Sequence, residues 1–472
     1  MQERDIPLCV DLDGTLIRTD LLIESTFALL RHNPLYLFRL PLWLLRGRAH
    51  LKREIARRVR IDVAALPYDP RVLEWLRGEA GARPHVLCTA SDLGFAEAVA
   101  AHVGGFGLVL GSDGVRNLGG RAKCAALCER YGERGFDYAG NAAADLHVWR
   151  AARRAIVVNA RPAVLRRARA GAEIERVFAR GPQSHAWIAA LRPHQWLKNA
   201  LVFVPLLAAH QIFVPAAAAR SAVACIAFCL CASGAYLLND LLDLDADRRH
   251  PRKRLRPFAA GALPPGSGLL AALALTIAAF AVAAALSREF VGVLLIYGVT
   301  TLAYSLLLKR VAMLDVVTLA ALYTVRIIGG AVAIPVEASF WLLAFSMFLF
   351  LSLAMVKRYT EIQRVGASNG VSVAGRGYGI EDIPLIQSLG TSSGYLSVLV
   401  FAFYIDSTAS GALYRHHELL WLLTPVLLYW ISRVWLLARR GEMHDDPVVF
   451  ALTDRVSLGV LAVFALVIAL AI

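Results

Sequence analysis

The chain has no CxxC pair. Its cysteines, Cys9, Cys88, Cys124, Cys128, Cys225, Cys229 and Cys231, are scattered and have no histidines at zinc spacing, which excludes a zinc ribbon and a disulfide framework. Buried free thiols are expected. Charge is also scarce: only 18% of the 472 residues are charged and 57% are hydrophobic, too oily for a soluble enzyme of this size. Acidic residues are the scarcer sign, 36 against 50 Lys and Arg. The basic excess crowds the ends of apolar runs, as juxtamembrane charges facing anionic lipid or phosphate would, so no nucleic-acid partner is expected. The opening MQERDIPLCVDLDGTL lacks a basic stretch followed by a long apolar core. No cleavable signal peptide is expected, and the N-terminal part is expected to stay in the cytoplasm.

Two compositions follow one another. Residues 1 to about 180 alternate short β-branched runs with amphipathic stretches and turn residues, which predicts a parallel sheet with helices on both faces. Strands are expected at IPLCV before Asp11, HVLCTA from His85, FDYAG from Phe136 and RAIVVNA from Arg154. RRARAGAEIERVFARGPQS reads as a linker, and AWIAALRPHQWLKN as an amphipathic approach to a membrane. The expected domains are 1–180, a linker 181–198, and 199–472. Within the first, residues 33–58, NPLYLFRLPLWLLRGRAHLKREIARR, mix leucines, aromatics and cations. They are too short and too charged to span, and read either as a surface-lying segment or as a helical cap over a soluble active site.

Beyond Asn199, apolar stretches centre near residues 205, 229, 277, 298, 322, 346, 399, 426 and 463, which predicts nine transmembrane helices. A cytoplasmic start leaves the C-terminus outside. Charge asymmetry supports this orientation, because the loops assigned to the cytoplasm hold sixteen Lys and Arg, from Arg248 through Arg376 to Arg455, against Arg220, Arg288 and Arg415 opposite. The long polar loops near 243–266 and 357–390 then lie on the cytoplasmic side, where the chemistry is expected.

Two constellations carry chemistry. DLDGTL, Asp11 to Leu16, directly follows an expected strand, where open α/β sheets hold their reactive groups. DxDGT resembles the first motif of the haloacid dehalogenase superfamily of phosphohydrolases. Thr89 in LCTASD, Lys123 in LGGRAKCAAL and Asp145 in YAGNAAADLHVW follow in that family's order. The resemblance implies that Asp11 attacks phosphorus and that Asp13 protonates the leaving oxygen and then activates water. It further implies that Thr89 holds a phosphoryl oxygen and Lys123 offsets charge. Mg²⁺ would lie on Asp11, the Asp13 carbonyl and Asp145. Asn141 stands where the family most often has Asp, which lowers the site's charge by one.

The second is LLNDLLDLDADRRHPRKRLRPFAAGALP, residues 237–264. On a helix Asn239, Asp243 and Asp247 recur at i, i+4 and i+8, with Asp240 on the same face and Asp245 pointing elsewhere. Stacked carboxylates need cations; Mg²⁺ suits them because it shares its remaining positions with phosphates and water. A loop salt-bridged by the adjacent arginines is the plainer alternative. NDxxDxxxD on a second membrane helix resembles the first aspartate-rich motif of the UbiA superfamily of intramembrane prenyltransferases, over about residues 186–472. LRPHQWLKN, YSLLLKRVAMLD and AMVKRYTE look like the branch that uses a polyprenyl phosphate and phosphoribosyl pyrophosphate. The second DxxxD of the aromatic prenyltransferases is reduced to Asp315, followed by Arg326 inside an apolar helix. That arginine suits a phosphate or, alternatively, a pair with Asp315.

The resemblances imply a Rossmann-like haloacid dehalogenase domain with a helical cap, followed by an all-α nine-helix bundle in a bacterial-type cytoplasmic membrane. The implied function is Mg²⁺-dependent transfer of phosphoribose to a polyprenyl phosphate, the N-terminal domain hydrolysing the 5-phosphate of the product. Candidate phosphate contacts are Lys198, Arg254, Arg256, Lys309, Lys357 and Arg358, with Asp315 and Arg326 as further substrate residues. Tyr304 and Tyr323 are candidates for sugar contact. The alternative is transfer of a prenyl group from prenyl diphosphate to an aromatic acceptor, with a phosphatase of unrelated or lost activity attached.

Overall fold

A computed structural model of the chain describes residues 6–79, 81, 83–367, 377–443 and 446–472; Arg376 lies outside them. The contacts divide the chain into two compact units, Met1–Leu191 with Tyr236–Ala272, and Arg192–Ala235 with Leu273–Ile472.

The first unit is built on a six-stranded, all-parallel sheet of order β3-β2-β1-β4-β5-β6. In chain order its elements are β1 (Leu8–Val10), α1 (Leu21–His32), α2 (Leu40–Leu45), α3 (Arg48–Ala56), α4 (Pro70–Gly78), β2 (His85–Asp92), α5 (Leu93–Val103) and β3 (Phe106–Ser112). Then come α6 (Gly120–Tyr131), β4 (Asp137–Gly140), α7 (Leu146–Ala151), β5 (Ala155–Val158), α8 (Pro162–Gly171), β6 (Ile174–Phe178) and α9 (Ser184–Leu191). Leu8, Val10, Leu87 and Ile156 join a core on one sheet face; Cys9, Val86, Tyr138 and Val157 join one on the other. Because successive strand residues point to opposite faces, such buried runs require helices on both sides. The four expected strands are present. β3 and β6 were not expected, and β6 lies within the stretch read as a linker, so the sheet domain runs on through Phe178.

Chain order reverses at β1, which pairs with β2 on one side and β4 on the other. A crevice opens at such a switch point, beyond the strands' C-terminal ends. Asp11 and Asn141 directly follow β1 and β4, and Thr89 lies in the C-terminal half of β2.

The remaining helices are α10 (Val204–Ala208), α11 (Pro215–Leu242), α12 (Leu244–Arg249), α13 (Pro265–Ala284), α14 (Arg288–Leu306), α15 (Leu314–Ala333) and α16 (Phe340–Ala367). They continue with α17 (Ile383–Ile405), α18 (Thr408–Leu413), α19 (Leu423–Arg439), α20 (Pro447–Thr453) and α21 (Arg455–Ala471). Among the described residues seven helical stretches are long and apolar enough to cross a membrane, against the nine expected. The stretch near 205 is broken into a 3₁₀ segment, Pro193–Phe203, and short α10, which begins beside Pro205. That near 463 is the 17-residue α21. Lys357 and Arg358 lie inside α16 rather than in a loop. α15 passes close to the broken segment at Gly330, where a Cβ would stand 2.1 Å from the Val202 carbonyl oxygen.

Candidate active site

The crevice at the end of β1 gathers the first constellation. Lys123, buried near the start of α6, donates to Asp11 Oδ1 at 2.7 Å and to the Tyr138 hydroxyl at 2.7 Å. Tyr138 in turn donates to Asp145 Oδ1 at 2.9 Å, and Asp145 Oδ2 accepts from the backbone N–H groups of Asn141 and Ala142. Asp13 accepts from Leu21 N, at the first turn of α1, at 2.8 Å and from Ser91 Oγ at 2.5 Å. Thr89 is fully buried, its hydroxyl accepting from Ser91 N. Burial pushes the Asp11 carboxyl up to about 6 against the pull of Lys123. Burial, then the nearby Asp20, pushes Asp13 up to about 7, so both carboxyls are held above the usual carboxylate range.

The donor set suits Mg²⁺, since the Asp11 carboxylate, the Asp13 carbonyl and the Asn141 amide are hard oxygens. Asn141 is pressed over Gly14, where a Cβ would stand 1.8 Å from its Nδ2. Asp145, expected as a ligand, accepts from three donors through its two oxygens. Tyr138 and Ser91 escaped the sequence reading. Ser91 lies two residues past Thr89 on the same strand, which was the available signal.

The aspartate-rich motif departs from a continuous helix: α11 ends at Leu242 and Asp243 turns the chain into α12. Hydrogen bonds from Asp243 N to Asn239 O and from Asp247 N to Asp243 O keep the four-residue spacing across the break. Asp240 and Asp247 converge on Arg256 Nη1, at 3.1 and 2.7 Å. Arg31, in the last turn of α1, lies 3.7 Å from Asp243, and Glu24, earlier on α1, forms a two-pronged pair with Arg248. The salt-bridged alternative is thus realised in part, and Arg256 serves carboxylates. Burial raises the Asp247 carboxyl despite Arg256. Asp245 is exposed, as expected, and pairs with Arg249; Arg254 is exposed. Among the described residues no three Asp, Glu, His or Cys side chains converge to hold a metal. Two carboxylates already meeting on one cation are nonetheless the share a protein contributes to Mg²⁺ when phosphates and water complete the shell.

The second unit holds buried cations. Lys198 and Lys357 both meet Asp446, Lys357 at 3.5 Å. Asp446 was not anticipated, although Asp-Pro opening an apolar run signals an N-cap, and its side chain accepts from Val448 N and Val449 N. Arg326 donates to Asn199 Oδ1 at 2.8 Å and to the Tyr297 hydroxyl at 2.9 Å, its guanidinium 4.7 Å from the Tyr297 ring centroid. It is not paired with Asp315. Asp315 and Arg358 are fully buried against each other at 2.6 Å, with Tyr378 donating to Asp315 at 2.5 Å. Tyr323 is buried against Phe350. Lys309 is partly exposed in a 3₁₀ turn, and Tyr304 is partly exposed on α14.

Long apolar helices, buried arginine and lysine, and an aspartate-rich turn define a multi-pass membrane protein. The chain belongs to the UbiA prenyltransferase family, whose profile matches residues 200–470. It is 38% identical to an uncharacterized protein, y4nM, of Sinorhizobium fredii, over 99% of this chain and 92% of that one. It is 37% identical to the nodulation protein NoeC of Azorhizobium caulinodans, over 57% of this chain and 87% of that one. It is 32% identical to decaprenyl-phosphate phosphoribosyltransferase of Mycolicibacterium smegmatis, over 57% of this chain and 86% of that one.

Proposed function

We propose that the chain is a bifunctional enzyme of a bacterial cytoplasmic membrane, transferring phosphoribose from phosphoribosyl pyrophosphate to a polyprenyl phosphate and then removing the 5-phosphate. The observation that carries the first step is the likeness to a decaprenyl-phosphate phosphoribosyltransferase across the membrane half. Asp315 supports this over an aromatic prenyltransferase, because full burial against Arg358 leaves it poorly suited to a second metal motif. Arg326 supports it too: a guanidinium buried among neutral partners is a receptor for an anion.

In the transfer, a lipid phosphate oxygen bonds to the ribose anomeric carbon as the carbon–oxygen bond to pyrophosphate breaks. Asn239, Asp240, Asp243 and Asp247 would hold Mg²⁺, which when bound stabilises the departing pyrophosphate charge. Arg256 and Arg31 neutralise these carboxylates without the ion, so both must yield to it. Lys198, Lys357 and Arg326 are the cations assigned to phosphate.

In the hydrolysis, Asp11 attacks phosphorus and forms an aspartyl phosphate, while Asp13 gives its proton to the leaving oxygen. Water then attacks phosphorus and Asp13 takes its proton, freeing inorganic phosphate. Lys123 holds Asp11 in place and Thr89 binds a phosphoryl oxygen. Asp11, the Asp13 carbonyl and Asn141, backed by Asp145, would hold Mg²⁺.

The experiment supplies membranes containing the protein with radiolabelled phosphoribosyl pyrophosphate and a polyprenyl phosphate, and follows the lipid by mass spectrometry. The parent is expected to accumulate the dephosphorylated lipid, Asp11→Asn the phosphorylated one, and Asp243→Asn neither. Release of phosphate from the lipid by Asp11→Asn at the parental rate removes the phosphatase assignment; unchanged lipid formation by Asp243→Asn removes the transferase site.

A further inference from the structure

Residues 34–48 form a folded structure whose outward face is apolar. The 3₁₀ segment Pro34–Phe38 and α2 turn Tyr36, Leu40 and Trp43 inward, where they pack with Leu29 of α1 and with Leu51 and Ile55 of α3. Arg58 closes over the Trp43 ring at 4.8 Å. With the inner side packed, the other large side chains point away from the protein: Phe38 and Leu45 are 74% and 85% exposed, and Leu35, Leu37, Leu42 and Leu44 at least half. Exposed Arg39, Arg46 and Arg48 border this face. Between Ser25 and Glu54 the sequence has six Lys and Arg and no Asp or Glu. A second copy of the same face would bring cations against cations, whereas an anionic leaflet offers acyl chains to the leucines and phosphates to the arginines. Among the described residues seven helical stretches are long and apolar enough to cross a membrane, which puts a bilayer at hand.

The same segment reaches the phosphatase crevice. Only Arg46 and Gly47 separate α2 from α3, and Lys52, one turn into α3, donates to Ala90 O at 2.5 Å and to Asn117 Oδ1 at 2.7 Å. Ala90 immediately follows Thr89, and Lys52, Ser25, Ser91 and Phe95 line one small cavity. We infer that residues 35–48 dock the first unit on an anionic bilayer surface and that the Asp11 site therefore takes phosphate monoesters carried by membrane lipids. The substrate part rests on the phosphatase reading of Asp11; the docking part does not.

The test reconstitutes the full-length protein in phosphatidylcholine–phosphatidylglycerol vesicles containing a phosphatidylcholine with a photoreactive acyl chain, and maps lipid adducts by peptide mass spectrometry. Adducts are expected on residues 33–46 of the parent. They should vanish in the Phe38→Glu/Leu45→Glu variant while those on α13 and α14 persist. Adducts on α13 and α14 without any on 33–46, or cross-links from 33–46 to a second copy, overturn the docking. The variant should also raise KM about tenfold for the phosphorylated lipid product, leaving kcat and the hydrolysis of p-nitrophenyl phosphate in solution unchanged. An equal loss on both substrates overturns the lipid preference. If the parent hydrolyses neither, the phosphatase reading fails, and the adduct map still decides the docking.

Discussion

Ser91 and Tyr138 touch the carboxylates and the lysine at the end of β1 and make that site testable one atom at a time. Asp13 is pushed up to about 7 chiefly by burial and then by Asp20, and the Ser91 hydroxyl opposes both by stabilising the carboxylate. On the proposed phosphatase reading Asp13 holds a proton for the leaving group, so hydrolysis is expected to decline as pH rises through its pKa. Ser91→Ala removes the bond that favours the charged form and raises that pKa further. The alkaline limb of kcat/KM is therefore expected to move up, by about half a unit to one unit, in a pH–rate profile with a soluble phosphate ester. A merely structural role would lower the rate without moving the limb. These partners were hidden in the sequence because a serine and a tyrosine on buried strands look like ordinary core. The clustering of Asp11, Asp13 and Lys123 was legible only in part: Asp11 follows a strand, where open α/β sheets gather reactive groups, whereas Lys123 lies on α6 and was found through motif order alone.

Among the elements, legibility followed burial. The two strands not anticipated, β3 and β6, are the sheet's two edges, where a strand is covered less and its pattern blurs; IERVF mixes charge with apolar residues. The spans most easily read were long uninterrupted helices; in the first stretch Pro193 and Pro205 break a segment whose composition alone looks like one continuous helix. Its 3₁₀ form leaves backbone groups unpaired by the α pattern and buries Lys198 and Asn199. That form depends on Gly330, the only residue type that tolerates the Val202 carbonyl so close. Gly330→Ala is expected to cost about 1–3 kcal/mol through overpacking, seen as a lower apparent Tm of the purified protein. Lipid formation should fall with it as Lys198 and Asn199 are displaced from their partners. Gly292→Ala, where a Cβ meets nothing, is the control and is expected to change neither.

At the scale of the whole molecule, α1 determines how far apart the Asp13 and Asp243 carboxylates of the first unit stand. Its first-turn Leu21 N–H holds Asp13, its last-turn Arg31 faces Asp243, and Glu24 between them grips Arg248. Twelve residues at the usual helical rise make this rod about 18 Å long. On the proposed reading, the phosphorylated lipid leaving one site meets the other at an effective concentration in the millimolar range. Inorganic phosphate is then expected to appear without a lag after phosphoribosyl pyrophosphate is added. A mixture of Asp11→Asn and Asp243→Asn proteins held in separate vesicles should form phosphate slowly and only after a lag. Equal time courses for parent and mixture would mean that the intermediate exchanges freely between molecules. If the parent instead runs without a lag, a helix that looks like packing acts as a ruler, fixing how briefly a reactive phosphorylated lipid is left unattended in the membrane.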